Sequence, residues 1–255
     1  SSPSEGVFVR EASVTKGADR RKQGTIYIVE MCSSEHEAVV EEIGNCFRAY
    51  GMGRNAPIQI LGQPLHDAPD GSRKAPDLAV RPHPTYVPDP PVPHPGPPPS
   101  DRRGNPYARI ILEVAVSQSF SDLKDKCRLW KQQSYVRSVL GIKLYDALAI
   151  RNATTGRRER AMKATLWRQG VARQKWHFGT VDKNGNQFPL GTNVCNTANN
   201  SNFIINIPVA NIFYDPPIPA IGYTPLARPP PAMYNAVVAI DLYEVQQAVL
   251  MNQAK

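Results

Sequence analysis

The chain has 255 residues, and 41% of them are hydrophobic, which is enough for one large domain or two small ones with a buried core. It carries 30 Lys and Arg residues against 22 Asp and Glu, a formal net charge of +8 that favours polyanionic partners such as nucleic acid. No stretch approaches the ~20 apolar residues that cross a bilayer, and the four cysteines include no Cys-x-x-Cys pair. The sequence therefore predicts a soluble, intracellular protein, cytoplasmic or nuclear, that has no membrane association and no cysteine-based zinc site.

The chain begins with a polar segment over residues 1–24, which a strand at GTIYIVEM and an amphipathic helix follow. At 100° per residue, His36 lies in the middle of the apolar arc of this helix. A buried, hydrogen-bonded structural histidine is the ordinary explanation of such a residue. Ser34 and Glu37 have the spacing of a capping box, which explains Glu37 without a role in a site.

Two further strands are predicted at APIQILG and APDLAV, and the second of them carries Asp77 near its start. Residues 82–106 are then so rich in proline that neither sheet nor helix is expected, because proline lacks a backbone N–H and fixes φ. This segment is predicted to be an extended insertion loop. It is either a surface linker or, at residues 82–99, a docking segment for a proline-binding partner.

The strongest strand signal is YARIILEVAVSQ, whose nearly continuous apolar residues are typical of a central strand covered on both faces. Glu113 lies in the middle of this strand, and a buried carboxylate is costly unless a cation meets it. A helix is predicted next, over about residues 121–135, with Leu123 at the centre of its apolar arc and Lys126 inside that arc. Lys126 is therefore the candidate partner of Glu113; a lysine stem that covers the edge of the core is the alternative.

More strands and a last helix are predicted in the remainder of the chain. GIKLYDALAI returns to strand, MKATLWRQGVARQKWHFGTV predicts two strands that meet near Gly170, and NFIINIPVANIF adds another. In AVVAIDLYEVQQAVLMN, Asp241 and Glu244 have capping-box spacing before the final helix. Strands mixed with a few helices, without internal repeats, indicate a single α/β domain over residues 25–255.

Three of these stretches, PDLAV, ILEVAVSQSFSDLKDKCRLW and GIKLYD, resemble the PD-(D/E)XK nuclease superfamily, and most closely its Uma2-like family of restriction-endonuclease-type proteins. The matching features are Pro76-Asp77, Glu113-Val114, Ser117-Gln118-Ser119 and Asp122-Leu123-Lys124-Asp125-Lys126. The resemblance implies a restriction-endonuclease-like mixed central sheet flanked by helices, with proline-rich loop insertions. The superfamily usually has a lysine two residues after the second acid, where this chain has Ala115. Lys126, in the following helix, is the replacement that the resemblance implies.

The activity that the resemblance implies is metal-dependent hydrolysis of phosphodiester bonds in DNA. Asp77 and Glu113 would hold Mg²⁺ or Mn²⁺, which prefer hard oxygen ligands, and Lys126 would orient the attacking water or stabilise charge on the phosphate. His36, Glu37 and Gln118 are further candidate members of the site. The basic surface is expected to bind DNA through its phosphate backbone.

Two other functions are compatible with the same sequence. One is a catalytically inactive protein that keeps the nuclease fold and binds nucleic acid. The other is an effector or interaction protein that is recruited through its proline-rich loop. A homodimer is compatible with all three functions.

Overall fold

The structure is a computed structural model that describes residues 33–67 without 52 and 54, 73–87, 107–215 without 134, and 235–253. It also describes the short stretches 11–13 and 25–27 and the single residues 217, 222, 224 and 233. Residues 88–106, which make up most of the predicted proline-rich insertion, lie outside the described residues.

The first described elements are a short antiparallel pair, β1 (Glu11–Ser13) with β2 (Thr25–Tyr27), and the helix α1 (Ser34–Arg48). The predicted capping box at Ser34 and Glu37 is wrong by one residue. The N-cap is Ser33, because its backbone is extended and its hydroxyl accepts the N–H of His36 at 3.2 Å. The Glu37 carboxylate instead contacts the ring of His36.

A six-stranded mixed sheet forms the centre of the fold. Its strands are β3 (Ile58–Gly62), β6 (Leu78–Pro82), β7 (Ile110–Ala115), β8 (Ser138–Leu144), β9 (Ala161–Arg168) and β10 (Val171–Gly179). They lie in the order β10-β9-β8-β7-β6-β3, and the small pair β4 (His66–Asp67) and β5 (Arg73–Lys74) comes between β3 and β6 in the chain. All neighbours in the sheet are antiparallel except β7 and β8. This parallel pair needs a crossover, which the helix α2 (Phe120–Lys131) supplies.

The helix predicted over residues 121–135 is correct in position but ends earlier, at Lys131. The backbone N–H of Gln132 still donates to helical carbonyls, and the chain then turns away. Tyr135 lies beyond this turn and stacks on Tyr107, with ring centroids 5.9 Å apart. The packing of the Tyr135 ring therefore explains why the helix ends before residue 135, although the local periodicity extends it that far.

Helices flank the central sheet on both faces. On one face, α1 packs with α3 (Leu242–Met251) and with the antiparallel pair of β11 (Ile204–Pro208) and β12 (Val237–Asp241). On the other face, α2 packs on β7, β8 and β9 through Leu123, Cys127 and Trp130. The fold is therefore α/β with a mixed central sheet flanked by helices, as predicted.

Three of the later elements follow the sequence expectations with differences. The hairpin of β9 and β10 turns at Gly170, whose φ is +70°, as the predicted meeting point requires. The strand predicted over residues 141–150 runs instead from Ser138 to Leu144, because the chain after it emerges to solvent and Ile150 is 83% exposed. Asp241 caps α3 by accepting the N–H of Tyr243 at 2.9 Å. Among the described helices, none is both long enough and apolar enough to cross a membrane.

Candidate active site

Asp77 lies immediately before β6 and is only 2% exposed. Leu78 pairs with Leu112, so the next step of this antiparallel register sets Asp77 opposite Glu113. Asp77 Oδ2 accepts the backbone N–H of Val114 at 2.7 Å. Its side chain thus reaches the central strand next to the second acid that the sequence singled out.

Glu113 lies in the centre of β7 and is also 2% exposed. The indole N–H of Trp130 donates to its Oε1 at 2.6 Å, and the ammonium of Lys126 lies 3.7 Å from its Oε2. Lys126 and Trp130 are one helical turn apart on α2, so they project from the same side of that helix. The cation that the sequence predicted for this carboxylate is present, together with a neutral donor.

Lys126 connects the buried carboxylate with the surface. Its side chain is 29% exposed, whereas that of Glu113 is 2% exposed. Water or a bound phosphate can therefore reach the ammonium while the carboxylate stays enclosed. This intermediate position is suited to a cation that acts on a substrate.

His36 joins Asp77 to the first helix. Its Nε2 lies 3.2 Å from Asp77 Oδ2, and its Nδ1 lies 3.1 Å from Glu37 Oε1. Burial on its own lowers the pKa of His36, but the hydrogen bond and charge of Asp77, and then those of Glu37, more than reverse this effect and raise the pKa. These contacts favour the imidazolium form, and a metal-ligating histidine must be neutral. The ring therefore positions Asp77 from the side of α1.

Cys127 is a fully buried thiol on the inner side of α2. Burial raises the pKa of this thiol well above its usual range. The negative charge of Glu113 raises the pKa further, Lys126 lowers it and Asp77 raises it.

Sequence reasoning missed Lys143, which lies beside this region on β8. It pairs with Ala115 in the parallel register, and its ammonium donates to the backbone carbonyls of Val116 and Gln118, the latter at 2.6 Å. It thereby fixes the turn that joins the strand of Glu113 to the helix of Lys126. A lysine inside the apolar strand SVLGIKL was the available signal, by the same reasoning that singled out Glu113.

Gln118 lies in this turn between β7 and α2. Its backbone carbonyl is bound by Lys143, and its side-chain Oε1 is buried with no hydrogen-bond partner among the described residues. Glu37, the other additional candidate, is mostly exposed and contacts His36 alone of the residues named for the site. The structure thus places Gln118 in the turn before α2 and Glu37 on the outer side of His36.

Two carboxylates suit a magnesium or manganese ion that keeps part of its water shell. Mg²⁺ commonly keeps several waters and takes one or two carboxylates together with substrate phosphates. Glu113 and Asp77, which accepts the N–H of the residue after Glu113, are the two carboxylates available for such a site. In the part of the chain that the structure describes, no group of three or more His, Cys, Asp and Glu side chains is arranged to hold a metal ion.

Replacing Trp130 by Phe tests the support of Glu113. The change keeps an aromatic ring in the core but removes the donor to a buried charged acceptor, which costs about 1.5–3 kcal/mol of unfolding free energy. Urea unfolding of Trp130→Phe is expected to show this loss. A loss below about 0.5 kcal/mol would mean that the hydrogen bond does not stabilise the carboxylate.

Comparison of the sequence with models of known protein families finds no match. A search for curated relatives also finds no match. What the protein does must then follow from the chemistry of the site itself.

Proposed function

We propose that this protein is a metal-dependent nuclease that hydrolyses phosphodiester bonds in DNA, built on a restriction-endonuclease-like fold. The observation that carries the proposal is the contact of Lys126 with the buried Glu113 carboxylate, whose neighbour in the strand, Val114, donates its N–H to Asp77. A partly exposed lysine next to two buried acids is the set of side chains that such chemistry needs.

In this proposal Asp77 and Glu113 hold the divalent ion, which when bound lowers the pKa of a water molecule and polarises a phosphoryl oxygen. Trp130 and the Val114 N–H orient the two carboxylates. Lys126 keeps its ammonium at the solvent side of the site, where it stabilises the negative charge that grows on the phosphate. It takes the role of the lysine that the superfamily usually carries at the position of Ala115.

A second candidate function is nucleic-acid binding without catalysis. The contact of His36 with Asp77 favours it, because a cation and a backbone N–H already meet the Asp77 carboxylate. Such an arrangement is stable without a metal ion. Binding of an ion at Asp77 would have to displace His36 or neutralise its ring.

Cleavage of supercoiled plasmid DNA separates the two functions. The purified protein is expected to nick or linearise the plasmid with Mg²⁺ or Mn²⁺ and to leave it intact with EDTA. Glu113→Gln is the matched control, because it keeps the shape of the side chain and removes its charge. Cleavage that persists in Glu113→Gln would indicate a contaminant. If the unmutated protein cleaves no DNA with either ion, the nuclease function is ruled out and nucleic-acid binding without catalysis is the function that stands.

A further inference from the structure

A group of cations lies on the same face of the sheet as α2, at the edge of this helix on β9 and beyond it on β10. We call it the basic face, and it consists of Lys163 on β9, Arg173 and Lys175 on β10, and Lys183 in the following turn. Lys163 pairs directly with His177, and Lys175 pairs with Thr165. Residues that pair across neighbouring strands share one face of the sheet, so the side chains of Lys163, Lys175 and His177 project from one face. Arg173 lies in the irregular start of β10, and Lys183 follows its end.

The basic face is open to solvent because α2 does not extend over β10. The helix packs on β7, β8 and β9, and its first residue, Phe120, meets the ammonium of Lys163 at 3.7 Å from the ring centroid. Arg173 and Lys175 are exposed on the edge strand, and Lys183 is exposed in the turn. The neighbouring Asp182 carboxylate is engaged by the backbone N–H groups of Asn184 and Asn186, each at 2.8 Å.

These cations repel one another. Lys143 and Lys163 stand directly opposite each other on β8 and β9, and like charges in that position destabilise a sheet. Burial, and then the charges of Lys175, Arg173 and Lys183, lower the pKa of Lys163. The pKa of His177 is lowered by burial and then by Lys163, Lys175 and Lys183. This repulsion weakens the fold when no ligand is bound, and a bound polyanion would relieve it.

The register of the sheet gives the separation between the basic face and the candidate active site. One row of paired residues runs across four strands from Glu113 through Gly141 and Thr165 to Lys175. Gly141 and Thr165 are buried beneath α2, so this row measures the separation across the sheet and is not an open path. At about 4.8 Å between neighbouring strands, Lys175 lies roughly 14 Å from Glu113. That distance corresponds to about four base pairs of duplex DNA, so a duplex cleaved at the site can also reach the basic face.

From this arrangement we propose that the basic face binds the phosphate backbone of duplex DNA on one side of the position where Glu113 and Lys126 act. The inference deepens the proposed nuclease function and rests on it for the position of the cleaved bond. Binding itself needs no catalysis, because the basic face contains neither acid of the site. The two ideas can therefore be tested separately.

The test is binding of a duplex DNA of about 20 base pairs, measured by fluorescence anisotropy in EDTA between 50 and 200 mM NaCl. The variant combines Arg173→Gln with Lys175→Gln. Each lost phosphate contact lowers the slope of log affinity against log salt by about 0.9, so the slope should fall by about 1.8. The loss of affinity across this range should then be roughly tenfold smaller than for the unmutated protein.

The control variant combines Arg48→Gln with Arg151→Gln, which removes the same total charge. Arg48 is exposed at the end of α1 on the other face of the sheet, and Arg151 is exposed in a loop that bridges to Arg158, next to the end of α3. The control is expected to keep the slope of the unmutated protein. Equal slopes for the two double variants, or no duplex binding by the unmutated protein, would overturn the inference. Slope changes as expected without any cleavage would overturn only the nuclease function.

Discussion

Lys126→Ala is expected to lower Mg²⁺-dependent cleavage by a factor of about 10²–10³, the usual effect of removing one group that stabilises transition-state charge. The ammonium lies 3.7 Å from Glu113 and is partly exposed, so its loss removes positive charge from the point where the phosphate would sit. The measurement is the rate of plasmid nicking at saturating protein and Mg²⁺.

Lys124→Ala is the matched control for this prediction. Lys124 belongs to the same helix and carries the same charge, but a separation of two residues turns it about 200° around the helix axis. Its removal is expected to change the rate by less than about threefold, as general electrostatics at the surface would. Equal rates for the two variants in a working assay would rule out the role proposed for Lys126.

Lys126→Ala is also expected to stay folded, which makes the loss of rate interpretable. Leu123, Cys127 and Trp130 still bury the inner side of α2, and the Trp130 N–H still donates to Glu113. Because water reaches the ammonium of Lys126, its removal should cost only about 1–2 kcal/mol of unfolding free energy. Thermal melts of the variant check this point.

The contact between Lys126 and Glu113 could be predicted because two independent patterns agree on it. The apolar run around Glu113 requires a buried carboxylate and therefore a cation, and the helical period places Lys126 inward. The burial of His36 followed from the same periodicity. Such inferences need only local patterns, which a single sequence contains.

Other contacts of the site depend on how distant elements pack, and local patterns do not contain that information. The meeting of His36 with Asp77 depends on the position of α1 against the end of β6. The pairing of Lys143 with Ala115 depends on the register of two parallel strands. The choice of Ser33 as the helix cap depends on a backbone angle at one of two adjacent serines.

Asp77→Asn is expected to abolish cleavage and to destabilise the protein when no metal ion is bound. If repulsion between the Asp77 and Glu113 carboxylates were the only effect, Asp77→Asn would stabilise the protein. The contacts of Asp77 with His36 and Val114 make the expected effect destabilising instead. Asn keeps an oxygen that can accept the Val114 N–H but loses the negative charge that faces the buried His36 ring. Leaving that group without its charged partner is expected to cost about 1–3 kcal/mol.

The pH dependence of this loss separates the His36 contact from a general packing defect. Asp77 raises the pKa of His36 in the folded protein. The stabilisation of the fold by this contact is therefore complete below the pKa of His36 in the unfolded chain, about 6.5, and is lost as the pH rises through the pKa in the folded protein. The difference in melting temperature between the unmutated protein and Asp77→Asn, measured in EDTA from about pH 5.5 to 9, should therefore be largest at the acidic end and shrink towards the basic end. Asp125→Asn, which removes an exposed carboxylate paired with Arg128, should show little difference at any pH. A difference for Asp77→Asn that stays constant or grows with pH would mean that Asp77 stabilises the fold through the Val114 N–H and not through His36.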